Sequence, residues 1–210
     1  MKLNHHALTA VSAVVLLTMG LFADATADPL PRGVTIGEFQ WSGTGCPSTG
    51  REVRLRLGSE EGYLAVLFPD TFRVEVGAGI RADRKNCLII LNLNFPWGYQ
   101  YSLSSLRQFG ALNLRGGVNG RINEYYTFQG QSIRATASEE WMRPISLPPE
   151  SLLFTGQFDP LVWSPCDAVS PLQLNIVAAL NNFDDGPNRA GSIQAVQSIY
   201  NVGWRRCGTR

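Results

Sequence analysis

Apolar and polar residues alternate with a period of two over most of the chain, the spacing that sends successive side chains to opposite faces of a β-strand. In Glu52-Val53-Arg54-Leu55-Arg56-Leu57 the apolar residues fall on one face and the charges on the other. Tyr63 to Phe68 and Phe72 to Val76, separated by the turn signal Pro69-Asp70, predict a hairpin. Cys87 to Leu93 is more continuously apolar and reads as a central strand. Further strands are predicted over Tyr99 to Leu103, Gly110 to Leu114, Ile122 to Phe128, Ser132 to Ala137, Leu152 to Phe154, Leu172 to Leu180 and Ile193 to Val202. Gly58, Gly62, Gly116-Gly117, Gly120, Gly130 and Gly156 punctuate them at intervals typical of sandwiches and barrels. Only Pro149 to Leu153 has the composition for a short helical turn. The expectation is an all-β fold, an antiparallel β-sandwich of jelly-roll-like design, favoured over a barrel.

The first 27 residues stand apart from this pattern. Lys2 begins a short basic segment, Ala7 to Phe22 is apolar, and Ala25-Thr26-Ala27 forms an A-x-A cleavage signal. Residues 1–27 therefore read as a signal peptide and 28–210 as a single exported domain, secreted, at the cell surface or in a periplasm. The apolar run is shorter than the roughly 18 to 20 residues a spanning helix needs, so no membrane span is expected after cleavage. Both histidines, His5 and His6, would leave with the leader. That loss excludes Ser/His/Asp and Cys/His nucleophile systems and any histidine metal site from the mature domain.

Cleavage removes one basic residue, Lys2, and one acidic residue, Asp24, so the net charge stays at +1. Such a balance offers nothing for a nucleic acid to bind. Lys85 is the only lysine beyond the leader, and the arginines are scattered, Arg51, Arg54 and Arg56 being the densest group.

Four cysteines, Cys46, Cys87, Cys166 and Cys207, all lie in the exported part and predict two disulfides. Three connectivities are open. The sequential pairing would close two loops of equal span, each stabilising by about 4 kcal/mol on the chain-entropy model. A four-cysteine zinc site needs closely spaced pairs, and the chain has no C-x-x-C.

Six motifs in order carry a resemblance: Gly43-Thr44-Gly45-Cys46-Pro47, Arg84-Lys85-Asn86-Cys87, Tyr99-Gln100-Tyr101-Ser102, Tyr126-Thr127-Phe128-Gln129-Gly130, Trp163-Ser164-Pro165-Cys166 and Trp204-Arg205-Arg206-Cys207. Together they resemble the family described as domain of unknown function 4360, small secreted proteins of fungi and bacteria, over about Gly33 to Cys207. The resemblance implies export and a two-disulfide β domain, and brings no activity or catalytic residue with it. The chain departs from it at Trp97, where the resemblance implies a glycine.

For chemistry, the remaining options are paired carboxylates, a Tyr or Ser/Lys system, or a hard-metal site; Lys85 adjoins Arg84 and a predicted disulfide, which argues against a Ser/Lys dyad there. Glu60-Glu61, Glu139-Glu140 and Asp184-Asp185 are adjacent pairs, which on a strand point to opposite faces and make no acid/base couple. Glu38 shares parity with Val34 and Ile36 and would face the core in an unbroken strand; Gly37 instead predicts a bulge that turns Glu38 outward and Phe39 and Trp41 inward. Phe95-Pro96-Trp97-Gly98-Tyr99-Gln100-Tyr101 has aromatics at every second position, and Trp97, Tyr99 and Tyr101 are the candidate ligand-binding residues. The competing reading makes Pro-Trp-Gly a hairpin turn with Phe95, Tyr99 and Tyr101 serving the core. Asp184, Asp185 and Asn188, in an oxygen-rich loop, are a candidate Ca²⁺ site that equally suits an ordinary turn. The expected function is a non-catalytic secreted or cell-surface binding module whose partner is a carbohydrate or cell-wall component. The alternatives are a histidine-free carboxylate polysaccharide hydrolase or lyase, and a structural envelope or matrix protein.

Overall fold

A computed structural model describes residues 31–49, 52–58, 62–166, 168–183 and 189–208. Its elements are β1 (Thr35–Ser42), β2 (Arg54–Gly58), β3 (Tyr63–Leu67), β4 (Arg73–Val76), β5 (Ala82–Asn94), β6 (Tyr99–Leu114), β7 (Val118–Phe128), β8 (Ala135–Trp141), β9 (Ile145–Gln157), β10 (Leu172–Asn182) and β11 (Gly191–Arg206). They form two antiparallel sheets. Sheet A has the order β1-β5-β10-β7-β8, and sheet B the order β2-β3-β11-β6-β9, with β4 also paired to β11. Most connections cross from one sheet to the other, the jelly-roll habit, so neither sheet forms without its partner. No helix long and apolar enough to cross a membrane occurs among the described residues.

The predicted alternation is what builds the core. On β7 the residues Val118, Gly120, Ile122, Tyr126 and Phe128 point inward, and on β10 Leu172, Leu174, Ile176, Ala178 and Leu180 do so. β5 contributes Cys87, Ile89, Leu91 and Leu93. Sheet B faces them with Leu103, Leu106, Leu112, Tyr200, Val202 and Trp204.

Several expectations are corrected by pairing that periodicity cannot see. The segments 63–68 and 72–76 are no hairpin. β3 and β4 both pair with β11, at Gln197 to Asn201 and at Gly191 to Gln194, so they are collinear pieces of one edge. The Pro69-Asp70 turn is a short excursion between them, closed by Phe68 N–H donating to the Val196 carbonyl (2.9 Å) and Ala195 N–H to that of Phe72 (3.1 Å). Pro149 to Leu153 is not helical. It belongs to β9, an edge strand, where prolines without N–H donors are tolerated. Ser151 and Leu147 flank a bulge against Gly110 and Leu112, and Glu150 takes a φ of 64° within it. The separate strands 99–103 and 110–114 are one strand, β6, whose inward parity flips at a bulge opposite Asn201 and Val202. That flip hid the stretch between them.

At Gly37 the expected bulge is present: the register of β1 against β5 shifts between Ile36 and Phe39. Glu38 is exposed, and Phe39 and Trp41 pair with the inward-facing Leu91 and Ile89. Phe39 nevertheless stays 37% exposed, because β1 is the rim of its sheet.

One polar cluster lies inside this core. Glu124 shares the inward face of β7 and is fully buried, bonded to Ser198 and Tyr200 of β11 across the sandwich. Tyr200 donates its hydroxyl to Oε2, and Ser198 Oγ lies 3.0 Å from Oε1. Ser198 also donates to Gln108 Oε1 of β6. A serine hydroxyl has one proton to give, so Ser198 shares it between Glu124 and Gln108. Burial pushes the Glu124 carboxyl up to about 7, the two hydroxyl contacts holding it lower than burial alone would. Burial, and then Glu124 beside it, push the Tyr200 phenol well above its ordinary value.

The disulfides join Cys46 to Cys87 and Cys166 to Cys207, the sequential pairing, each with a sequence separation of 41. The first continues the β1–β5 ladder beyond Ser42; the second ties the β9–β10 connection to the end of β11.

Two predictions follow from the core. Replacing Cys46 and Cys87 together by Ser removes a constraint on the unfolded chain, and guanidinium unfolding should show a loss of about 2–4 kcal/mol with unchanged far-UV circular dichroism. Glu124 has a folded-state pKa raised above its unfolded value, so its contribution to stability is complete below about pH 4.5 and is lost as pH rises through about 7. The loss is on the order of 3 kcal/mol. Denaturation midpoints measured from pH 5 to 8 should fall for the wild type, and Glu124→Gln should flatten the slope.

Candidate functional site

The β9–β10 connection, residues 158–171, closes one end of the sandwich and shapes the surface there. Its backbone is held by groups projecting from the strands. The Tyr126 hydroxyl donates to the Val162 carbonyl at 2.9 Å and accepts from the N–H groups of Leu103 (3.2 Å) and Val162 (3.3 Å). Burial pushes its phenol up to about 12, the bonds to Val162 and Leu103 acting the other way. Phe158 packs edge-on against the Tyr126 ring at 4.9 Å. Ser164 then lies along β6 where β9 has ended: its N–H donates to the Tyr101 carbonyl (2.8 Å) and its Oγ accepts from Tyr101 N–H (3.0 Å).

This anchoring leaves Trp163 beside the paired ends of β6 and β11. Gln131 Nε2 donates to the Trp163 carbonyl at 3.0 Å, and Gln100 Nε2 to that of Ser164 at 2.6 Å. The guanidinium of Arg205 lies over the Trp163 ring, 4.1 Å from its centroid, and donates from Nε to Gln100 Oε1 at 2.9 Å. An open groove of about 590 Å³ runs between residues 130–133 and 160–165, with Trp163, Arg205, Gln100 and Gln131 in its walls. Ile133 and Leu161, 61% and 43% exposed, form apolar margins. None of the described residues lining it is acidic.

A second, smaller recess of about 140 Å³ is lined by Leu93 to Trp97 and by Cys166, Ala168 and Val169, Cys166 following directly on Pro165 of the groove wall. Trp97 stands at its lip, 79% exposed. The Pro96-Trp97-Gly98 turn depends on Gly98, whose φ of 82° lies in the left-handed region that a side chain disfavours. Cys207 N–H donates to the Gly98 carbonyl at 2.8 Å, so the Cys166–Cys207 bridge fixes the Trp97 turn on one side and stands next to Arg205 on the other.

The structure separates the three aromatics that the sequence grouped. Trp97 is exposed. Tyr99 is half-buried, with the Arg206 guanidinium 5.9 Å from its ring centroid. Tyr101 is 1% exposed, packed against Phe95, Phe128 and Trp204, and burial raises its phenol above the ordinary range. A surface platform of all three does not form, because the turn at 96–98 is a corner between sheets: β5 lies in sheet A and β6 in sheet B, so it is not the turn of a hairpin either. Asp184, Asp185 and Asn188, the candidate Ca²⁺ ligands, lie outside the described residues, as do residues 1–30 and the Glu60-Glu61 pair. Among the described residues no three of His, Cys, Asp or Glu converge as a metal site. Glu139 and Glu140 are consecutive on β8 and lie on opposite faces, as expected.

Sequence reasoning passed over Trp163, Arg205 and Glu124 as chemical groups. Glu124 could have been found from its parity with Ile122 and Tyr126. Trp163 and Arg205 flank Cys166 and Cys207, and become neighbours once those two cysteines are known to pair.

Comparison with known proteins agrees with this architecture. The family model "Domain of unknown function (DUF4360)" matches residues 32–207. An "Uncharacterized secreted protein" of Arthroderma benhamiae is 30% identical over 187 residues, covering 85% of this chain and 74% of the relative. Its description and the two disulfides, which persist in oxidising compartments, place the protein outside the cytoplasm. The match spans both disulfides, the Tyr126 anchor and the Trp163–Arg205 pair, and the chain belongs to the DUF4360 family.

Proposed function

We propose that this protein is a non-catalytic binding module that holds a carbohydrate at the end of the sandwich marked by Trp97 and the Trp163–Arg205 groove. The observation that carries the reading is the 79% exposure of Trp97 beside a groove with a second tryptophan in its wall, the two joined through one disulfide. Exposing an indole to water forfeits the burial that stabilises such side chains elsewhere, which favours a surface completed by a ligand. Sugar rings present flat C–H faces and a rim of hydroxyls. An open surface of indole, amide and guanidinium groups complements both.

A polysaccharide hydrolase would need two carboxyl groups facing one cleft. The carboxyl whose pKa is raised, that of Glu124, is sealed in the core and bonded to Ser198 and Tyr200, out of reach of a polymer. The groove wall supplies amides and a guanidinium where an acid would be required.

Pull-down on a panel of insoluble polysaccharides, followed by calorimetry with soluble fragments of any that bind, tests the reading. Trp97→Ala and Trp163→Ala should each weaken binding by about tenfold or more, the effect of removing a central aromatic contact, with thermal midpoints close to wild type. Undiminished binding by the double variant would overturn the assignment to this end of the molecule.

A further inference from the structure

We infer that the Trp163–Arg205 groove selects carboxylate-bearing sugars, with Arg205 as the partner of a uronate carboxylate; this rests on the carbohydrate-binding reading and specifies its ligand class. Arg205 is held in a fixed attitude by neutral groups alone. Its guanidinium carbon lies over the Trp163 ring, 4.1 Å from the centroid, and its Nε is engaged by Gln100 Oε1 at 2.9 Å. Gln100 is itself fixed, because its Nε2 donates to the Ser164 carbonyl at 2.6 Å. Among the described residues no carboxylate pairs with this guanidinium, and none that lines the groove is an acid that would compete for it.

The two terminal nitrogens of Arg205 are therefore left as a planar pair of donors whose orientation is already set. A carboxylate is the acceptor whose geometry matches that pair with two parallel hydrogen bonds. The indole removes water from one face of the guanidinium, which reduces the cost of completing the pair. Adjacent groups suit a sugar rather than an isolated anion. Gln131 spends its Nε2 on the Trp163 carbonyl, which leaves its Oε1 to accept from a hydroxyl, and Ile133 and Leu161 offer apolar margins to ring C–H faces. The groove, at about 590 Å³, is within the roughly 300–1,000 Å³ range of small-ligand sites.

The test compares polygalacturonate with the same polymer fully methyl-esterified, which keeps the sugar backbone and neutralises the carboxylate. Wild type should bind the acid form about tenfold or more tightly than the ester, and the difference should shrink between about 50 mM and about 500 mM NaCl as charge is screened. Arg205→Gln should abolish the preference, bringing the acid and ester forms to the same affinity, and Arg205→Lys should restore only part of it, since an ammonium lacks the planar fork. Equal binding of acid and ester forms would overturn the inference while sparing the carbohydrate reading. Binding to no polysaccharide in the panel would defeat both. Dextran sulfate and poly-glutamate serve as further arms: affinity for either that equals polygalacturonate and is equally lost in Arg205→Gln would show a general anion site and overturn the choice of a uronate.

Discussion

The ladder between β6 and β11 is the contact on which the rest of the molecule depends. It runs from Gly191 opposite Leu114 to Arg206 opposite Tyr99, through two register shifts, and β11 also carries β3 and β4 on its other edge. Its close approach is enforced at Gly110, where a Cβ would run into the Gln194 carbonyl oxygen. The same register sets Arg205 opposite Gln100, so the groove is a consequence of the pairing that builds the sheet. A slip of one residue would turn every side chain of β11 over, burying Arg205 and exposing Trp204.

Across from this ladder, Glu124 occupies a position that alternation reserves for an apolar residue. A buried carboxyl without partners would be costly. Here Ser198 and Tyr200 supply hydroxyl partners from the opposing sheet and Gln108 bonds in turn to Ser198, which makes the cluster a specific link between β7, β6 and β11. Hydrophobic packing alone is tolerant of small sliding between sheets, whereas a hydrogen-bonded set of four side chains is satisfied in one alignment only.

The end of the sandwich that carries the candidate site is made from three segments far apart in sequence: the 96–98 corner, the 158–171 connection and the last residues of β11. Each is fixed by a different kind of interaction. The corner relies on a left-handed glycine, the connection on the Tyr126 hydroxyl and the Ser164 contacts, and the end of β11 on Cys166–Cys207. A framework of this kind fixes the backbone of the Trp97 turn and the Arg205 guanidinium over Trp163, which would lower the entropy lost if a ligand bound there.

Much of this was legible in the chain itself. Period-two alternation established the all-β class and the inward residues of β5, β7 and β10, because a strand with one buried face must alternate. Gly37 announced the bulge that turns Glu38 outward, and the even cysteine count announced two bridges. Only the tertiary structure decided which strands pair, because hydrogen bonds between distant segments leave no periodic trace: β3 and β4 share one edge of β11, the prolines of β9 sit on an outer strand, and bulges reverse the parity of β6. The choice among three disulfide connectivities, the burial of Tyr101 against the exposure of Trp97, and the meeting of Trp163 with Arg205 have the same origin. Each depends on where two segments lie in space, and the local sequence fixes only what each segment can bring there.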